Sequence, residues 1–181
     1  QVRQQTEIAQ RRASELETVA NVSAASTTIL DVNELLQSVA DLTKQNFNLY
    51  HAHIYLYNEE DGVLTLAAGA GDVGMLMKEH GHQLSVNSQS GLVARAAREK
   101  EVVVVNETAS VIDVLPNPML PETRSEMAVP MLVGDEVIGV LDLQSNMVNR
   151  FDDEDIRIQS TLSSQVAVAV RNAQAFERER K

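Results

Sequence analysis

The sequence feature that most constrains the fold is a pair of apolar runs, Glu126–Val133 and Glu136–Gln144, separated only by Gly134-Asp135. Two β-rich runs joined by a Gly-Asp step predict a tight hairpin. An earlier stretch repeats the pattern: His51–Tyr57 and Val63–Ala68 flank the turn sequence Glu-Glu-Asp-Gly at 59–62. Strand pairs joined by tight turns imply an antiparallel sheet.

Helical periods surround these strands. Asp31 is placed to cap a helix over 32–46, with Glu34 three residues on and an apolar face of Leu35, Leu36, Val39, Leu42 and Phe47. Ser90-Gly91 opens a second helix that ends near Lys100. Gly69, Gly71 and Gly74 read as breaks, His82–Val86 and Val102–Val105 as short strands, and 106–123, with three prolines, as an irregular loop containing at most a helical turn at 110–115. Long loops within compact domains are often functional. Asp152 is a natural N-cap for a final helix running to the end of the chain, and its acidic first turn suits the helix dipole. Val166–Val170 is apolar around more than one side of this helix, so it needs cover from the sheet and from another helix, of this chain or of a second subunit. Helices before and after an antiparallel sheet give an α+β domain.

Residues 2–26 also read as helix. Val2, Ala9 and Leu16 fall seven apart, and Val19 lies three beyond. This weak heptad seam fits either a solvated surface helix or one that pairs with its own copy. A parallel homodimer through the terminal helices would use Val2, Ala9, Leu16, Val19, Leu162, Ala169, Ala173 and Phe176. The chain starts at Gln1 and ends within a charged helical pattern, so both ends are expected to be cut from a longer protein.

Composition removes several functions. A net charge of −11 and no Lys/Arg cluster with interleaved aromatics argue against nucleic acid. The same charge disfavours anionic membrane surfaces, and no run approaches the ~20 apolar residues of a span. The chain has no cysteine, hence no disulfide, thiolate metal site or Cys nucleophile. A cytoplasmic location is expected.

Ser90 and Gly91 at a helix start suit an anion, or simply cap the helix. Arg124 and Ser125 enter the strong hairpin after the irregular loop; the arginine suits a carboxylate or phosphate, or a surface acid. Asn106 opens that loop. Met127, like Met75, Met77, Met119 and Met131, suits core packing or an apolar ligand wall. Ser90, Gly91, Asn106, Arg124, Ser125 and Met127 form the candidate ligand set. Asp142 interrupts an apolar strand with no sequence partner for catalysis. His51/His53 and His80/His82 have the i, i+2 spacing of a chelating pair, yet a metal needs further ligands, and neither metal nor haem is expected. There is no Gly-Lys-Ser/Thr phosphate loop, His-Glu-x-x-His or Gly-x-Ser-x-Gly. A chain without catalytic activity is expected.

Three segments in order resemble the GAF domain family: Ser90–Arg98 followed by Val102–Val105; Arg124–Gln144; and Phe151-Asp-Asp-Glu-Asp155. The resemblance covers 30–172, leaving 1–29 as an N-terminal signalling helix and 173–181 as the start of a C-terminal linker helix. It implies a six-stranded antiparallel sheet with the terminal helices on one face and a loop-covered small-molecule pocket on the other. It further implies a regulatory module that signals through its terminal helices to an output domain, such as a histidine kinase. The alternative is a dimerisation unit with a degenerate pocket. Covalent bilin attachment and methionine-sulfoxide reduction, as the family performs them, need cysteines that are missing here. Asn149-Arg150-Phe151-Asp152 with Glu154 and Asp155 only superficially matches the cyclic-nucleotide signature, so a cyclic-nucleotide regulatory domain is the lesser reading.

Overall fold

The computed structural model describes residues 31–179 except 112, 113, 115 and 116. In chain order the elements are α1 (Val32–Asn46), β1 (His51–Asn58), β2 (Val63–Gly69), α2 (Gly71–Glu79), β3 (Gln83–Ser85), α3 (Leu92–Glu99), β4 (Val103–Val105), a 3-10 turn at Thr108–Ser110, β5 (Ser125–Val133), β6 (Glu136–Ser145) and α4 (Asp153–Glu179). The sheet runs β3-β2-β1-β6-β5-β4, and every neighbouring pair is antiparallel. This is the α+β architecture expected. Residues 2–26, with Val2, Ala9, Leu16 and Val19, lie outside the described residues.

Strand alternation divides the molecule into two layers. Ala52 and Ile54 of β1, Met127, Val129 and Met131 of β5, and Leu141 and Leu143 of β6 share a core with α1 and α4. Into it α1 inserts Leu35, Leu36, Val39 and Ala40, and α4 inserts Leu162, Val166, Ala167 and Val170. The intervening residues on the same strands face the other way. Tyr55, Ala128 and Val140 meet Leu92, Val93, Ala96 and Ala97 of α3 in a smaller core.

Both long helices start on the expected caps. Asp31 Oδ1 accepts from Glu34 N at 3.0 Å. Asp152 Oδ1 accepts from Asp155 N, and Asp155 Oδ2 accepts from Asp152 N, both at 2.9 Å, a reciprocal box that satisfies two orphan donors.

Two expectations fail. The glycines after β2 do not mark a break. Gly71–Glu79 is a helix, and Gly69 and Gly74 serve its docking: a Cβ on Gly74 would sit 2.0 Å from the Gly69 carbonyl carbon. Here small residues allow backbone contact between helix and strand. The dimer set also changes. Leu162, Ala169 and Ala173 are buried inside this chain, in the core against the sheet and α1. Within Val166–Val170 the chain's own elements cover Val166, Ala167, Ala169 and Val170, but not Val168. On the outer side of α4, Val168 is 48% exposed and Phe176 38%. After Ala173 no residue of the helix is buried. Among the described residues no helix is long and apolar enough to cross a membrane.

Candidate functional site

On the side of the sheet away from α1 and α4, the central strands carry polar residues where an interior would carry aliphatics. β1 contributes His51, His53 and Tyr55; β5 contributes Glu126; β6 contributes Asp142 and Gln144. Strand pairing sets His53 opposite Asp142, and Gln144 opposite both His51 and Glu126. Alternation gives all six side chains one face, and three adjacent strands bring them together.

The hydrogen bonds converge on Asp142, which is 0% exposed. Its Oδ2 lies 2.7 Å from His53 Nε2 and accepts from Gln144 Nε2 at 2.8 Å. Gln144 Nε2 also reaches Glu126 Oε2 at 3.4 Å, and Gln144 Oε1 accepts from Thr123 Oγ1 at 2.6 Å. The Glu126 and Asp142 carboxyls are themselves hydrogen-bonded. Asp142 Oδ1, His53 Nδ1 and His51 Nε2 are buried and have no hydrogen-bond partner in the protein.

Burial and neighbouring charge drive the two acids apart. Desolvation, then the Asp142 charge and the hydrogen bond that Glu126 donates to Asp142, push Glu126 well above the usual carboxylate range. Burial pushes Asp142 up too, but the His53 imidazole and the hydrogen bonds from Glu126, His53 and Gln144 outweigh it, leaving Asp142 at about 2. Burial, with His53 and Lys44 acting in the same sense and Asp142 against it, lowers His51 to about 3. Tyr55 is raised by burial, Asp142 and Glu126, and His82 is lowered by burial and His53. Two carboxyls in contact thus divide into an acid and a carboxylate.

A cavity of about 120 Å³ opens over this cluster. Its floor is His53, Tyr55, Glu126, Asp142 and Gln144; its roof is the start of α3 with Ser90, Gly91, Leu92 and Val93; Asn117 and Pro118 close one side. A second cavity of about 330 Å³ lies under the loop between Thr108 and Thr123 and shares Asn117, Glu126 and Gln144 with the first. Gly91 holds φ +94°, a conformation that glycine alone enters without strain, and this aims the first turn of α3 at the floor. Arg98 Nη1 donates to the carbonyls of Val86 and Ser88 at 2.7 and 2.6 Å, tying the preceding loop to α3.

The six expected ligand residues scatter. Ser90 and Gly91 line the cavity. Asn106 instead clasps the start of α4: its Nδ2 donates to Phe151 O at 2.9 Å and its Oδ1 accepts from Phe151 N at 3.1 Å. Arg124 is exposed. Ser125 Oγ donates to Met147 O at 2.6 Å. Met127 points into the opposite core, because alternation puts it one residue out of phase with Glu126. Of the histidines, His53 is committed to Asp142 and His82 lines the cavity. Among the described residues, no three His, Asp or Glu side chains are placed to hold a metal. Arg150, from the stretch compared with the nucleotide signature, reaches Asp155 Oδ2 at 3.2 Å and Phe47 O at 2.9 Å, so it pins the start of α4 to the end of α1. The sequence alone offers Asp142 no partner and does not single out Glu126 or Gln144. Polar residues two apart on neighbouring strands, set among aliphatics, were the signal.

The GAF domain family model matches residues 29–171. No curated protein matches the chain. Similar solved structures include the GAF domain of a phosphoenolpyruvate-protein phosphotransferase from Coxiella burnetii, at 15% identity, TM-score 0.81 and coverage of 92% of this chain and 98% of that one. The free methionine-R-sulfoxide reductase of Neisseria meningitidis, in complex with its substrate, is 20% identical with TM-score 0.77, covering 89% of this chain and 90% of that one. A type II free methionine-R-sulfoxide reductase from Thermoplasma acidophilum is 23% identical with TM-score 0.62, covering 78% and 96%. The expectation of a chain without catalytic activity is overturned by these last two: enzymes share this fold, so the fold gives no ground for excluding catalysis. The family match, spanning both hairpins and the helices on either side of the sheet, shows that the chain belongs to the GAF domain family.

Proposed function

We propose that this domain binds a small molecule between the polar face of the sheet and the start of α3, and passes its occupancy to α4. One observation carries the reading: buried Asp142 and His53 each present a hydrogen-bonding atom with no partner in the protein, beside a cavity that both of them line. Buried polar atoms are nearly always paired in native structures, so unpaired ones over a cavity favour a ligand that completes them. Asn106 gives the route. The loop that begins there roofs the second cavity, and Asn106 itself holds Phe151 at the start of α4. A ligand that binds one loop arrangement better shifts the population toward it. The expected output is a further domain of a signalling protein, with a histidine kinase as the proposed class.

Calorimetric titration of a metabolite panel tests this, and a drifting baseline in the same runs would reveal turnover. Binding that is lost in Leu92→Trp, where an indole fills the cavity, supports the reading. A panel of ligands that binds wild type and Leu92→Trp equally would sink it.

A homodimer remains part of the proposal, with its surface moved to the outer side of α4 at Val168 and Phe176. Val168→Glu is expected to lower the mass measured by light scattering from dimer to monomer. An unchanged dimer would remove α4 from the interface.

A further inference from the structure

An unpaired acceptor and unpaired donors face each other across the cavity. His53, 2% exposed, lines it from the floor. Its Nε2 lies 2.7 Å from Asp142 Oδ2, and a carboxylate accepts, so the ring proton sits on Nε2. That leaves Nδ1 of the neutral ring as an acceptor, buried and with no partner in the protein. The roof offers the reverse. No side chain caps α3, so the N–H groups of Leu92 and Val93 in its first turn have no acceptor within the helix or from a cap. Among the described residues no backbone carbonyl outside the helix accepts from them either. Both residues line the cavity, opposite His53.

We propose that the ligand of this cavity carries an uncharged carboxamide or urea head, whose C=O accepts from the first turn of α3 and whose N–H donates to His53 Nδ1. This rests on the reading of the cavity as a small-molecule site. In such a head one carbon carries both the oxygen and the nitrogen, so a single group serves both walls. A ketone or ester would leave Nδ1 unpaired, and an ammonium would leave the α3 N–H groups unpaired; a buried polar group without a partner costs its full desolvation. A carboxylate would suit the helix start. It would, however, enter as a third carboxyl beside Glu126 and Asp142, where none of the described lining residues is Lys or Arg. The cavity of about 120 Å³ is close in size to one of ~150 Å³ that admits benzene, so it holds the head and a few carbons. Leu84, Leu92 and Val93 give those carbons an apolar wall.

Amide-resolved NMR of the whole chain, titrated with butyramide, 2-pentanone, butyrate and n-butylammonium to about 100 mM, tests this, since fragments of this size bind weakly. 2-Pentanone has the shape of butyramide, with a methyl group in place of the NH2. Butyramide is expected to move the Leu92 and Val93 amide resonances and to bind at least about fivefold more tightly than the other three. In His53→Gln the side-chain amide nitrogen can take over the bond to Asp142, while no atom replaces Nδ1. There the gap between butyramide and 2-pentanone is expected to close. If His53→Gln does not fold, the wild-type order of the four ligands decides alone. Butyrate or n-butylammonium binding tightest, 2-pentanone matching butyramide in wild type, or a gap that His53→Gln leaves open overturns the proposal while leaving a small-molecule site in place. If none of the four moves these resonances, the small-molecule reading falls with it.

Discussion

The two faces of one sheet are built from the same strands and obey opposite rules. On β5 and β6, Met127, Val129, Leu141 and Leu143 fill the layer under α1 and α4 with aliphatic and thioether groups. One residue out of phase, Glu126, Asp142 and Gln144 make a buried polar network with atoms left unpaired. The first face is optimised for packing. The second carries a cost in stability that packing alone would not select, which is why the proposed site is placed there.

Breaking each face separately sharpens the contrast. The largest effect is expected on the polar face: Asp142→Ala leaves His53 and Glu126 buried without their partner and should cost about 3–5 kcal/mol in urea unfolding. On the apolar face Leu141→Ala should cost about 2–5 kcal/mol, depending on how far the surroundings collapse into the hole. The faces part company when the whole polar set is removed. His53→Leu, Glu126→Leu, Asp142→Leu and Gln144→Leu together are expected to leave stability unchanged or raise it by about 1–4 kcal/mol, while ligand binding disappears. A combined variant that unfolds would show that the network holds the fold rather than a ligand.

Acid gives a finer comparison, because two buried groups titrate with opposite sign. His51 is lowered from 6.5 to about 3 in the fold, so the unfolded chain takes up its proton first. Stability from His51 is therefore complete above about pH 6.5 and is lost as pH falls toward 3, by about 1.4 kcal/mol per pH unit. Glu126 is raised by burial, so the folded chain holds the extra proton above the ordinary glutamate range, and its contribution grows as pH falls toward 4.5. Where both act, the terms oppose and wild-type stability should be nearly flat. Glu126→Gln should expose the His51 slope, and adding His51→Phe should flatten it again; a wild-type slope that Glu126→Gln leaves unchanged would remove Glu126 from the balance. The smallest effect is expected at Asn106→Ala, about 1–2 kcal/mol for two lost hydrogen bonds, with ligand-induced shifts no longer reaching the amides of α4.

The apolar face was legible in the sequence and the polar face largely was not. Hairpins announce themselves through period and turn chemistry, which are local. The capped helices at Asp31 and Asp152 are equally local, as is the helix opening at Gly91. Glu126, His53 and Asp142 acquire their meaning only across strands, from the pairings Glu126 with Gln144, 18 positions apart, and His53 with Asp142, 89 apart. Met127 reads as a ligand wall from its adaptable thioether, yet it lies one step along the strand from Glu126, and that single step puts it on the opposite face. The helix α2 was missed for a related reason: Gly69 and Gly74 are needed for a contact between backbones that no period reveals.

The Asn106 clasp on Phe151 has a mechanical consequence. It grips the short end of a rod: α4 has 27 residues and is therefore about 40 Å long. If that rod tilts as a rigid body by about 5° at the clasp, its far end sweeps roughly 3.5 Å. A displacement of the loop too small to break any hydrogen bond thus becomes, at Glu179, a movement as large as the spacing between neighbouring residues along a strand.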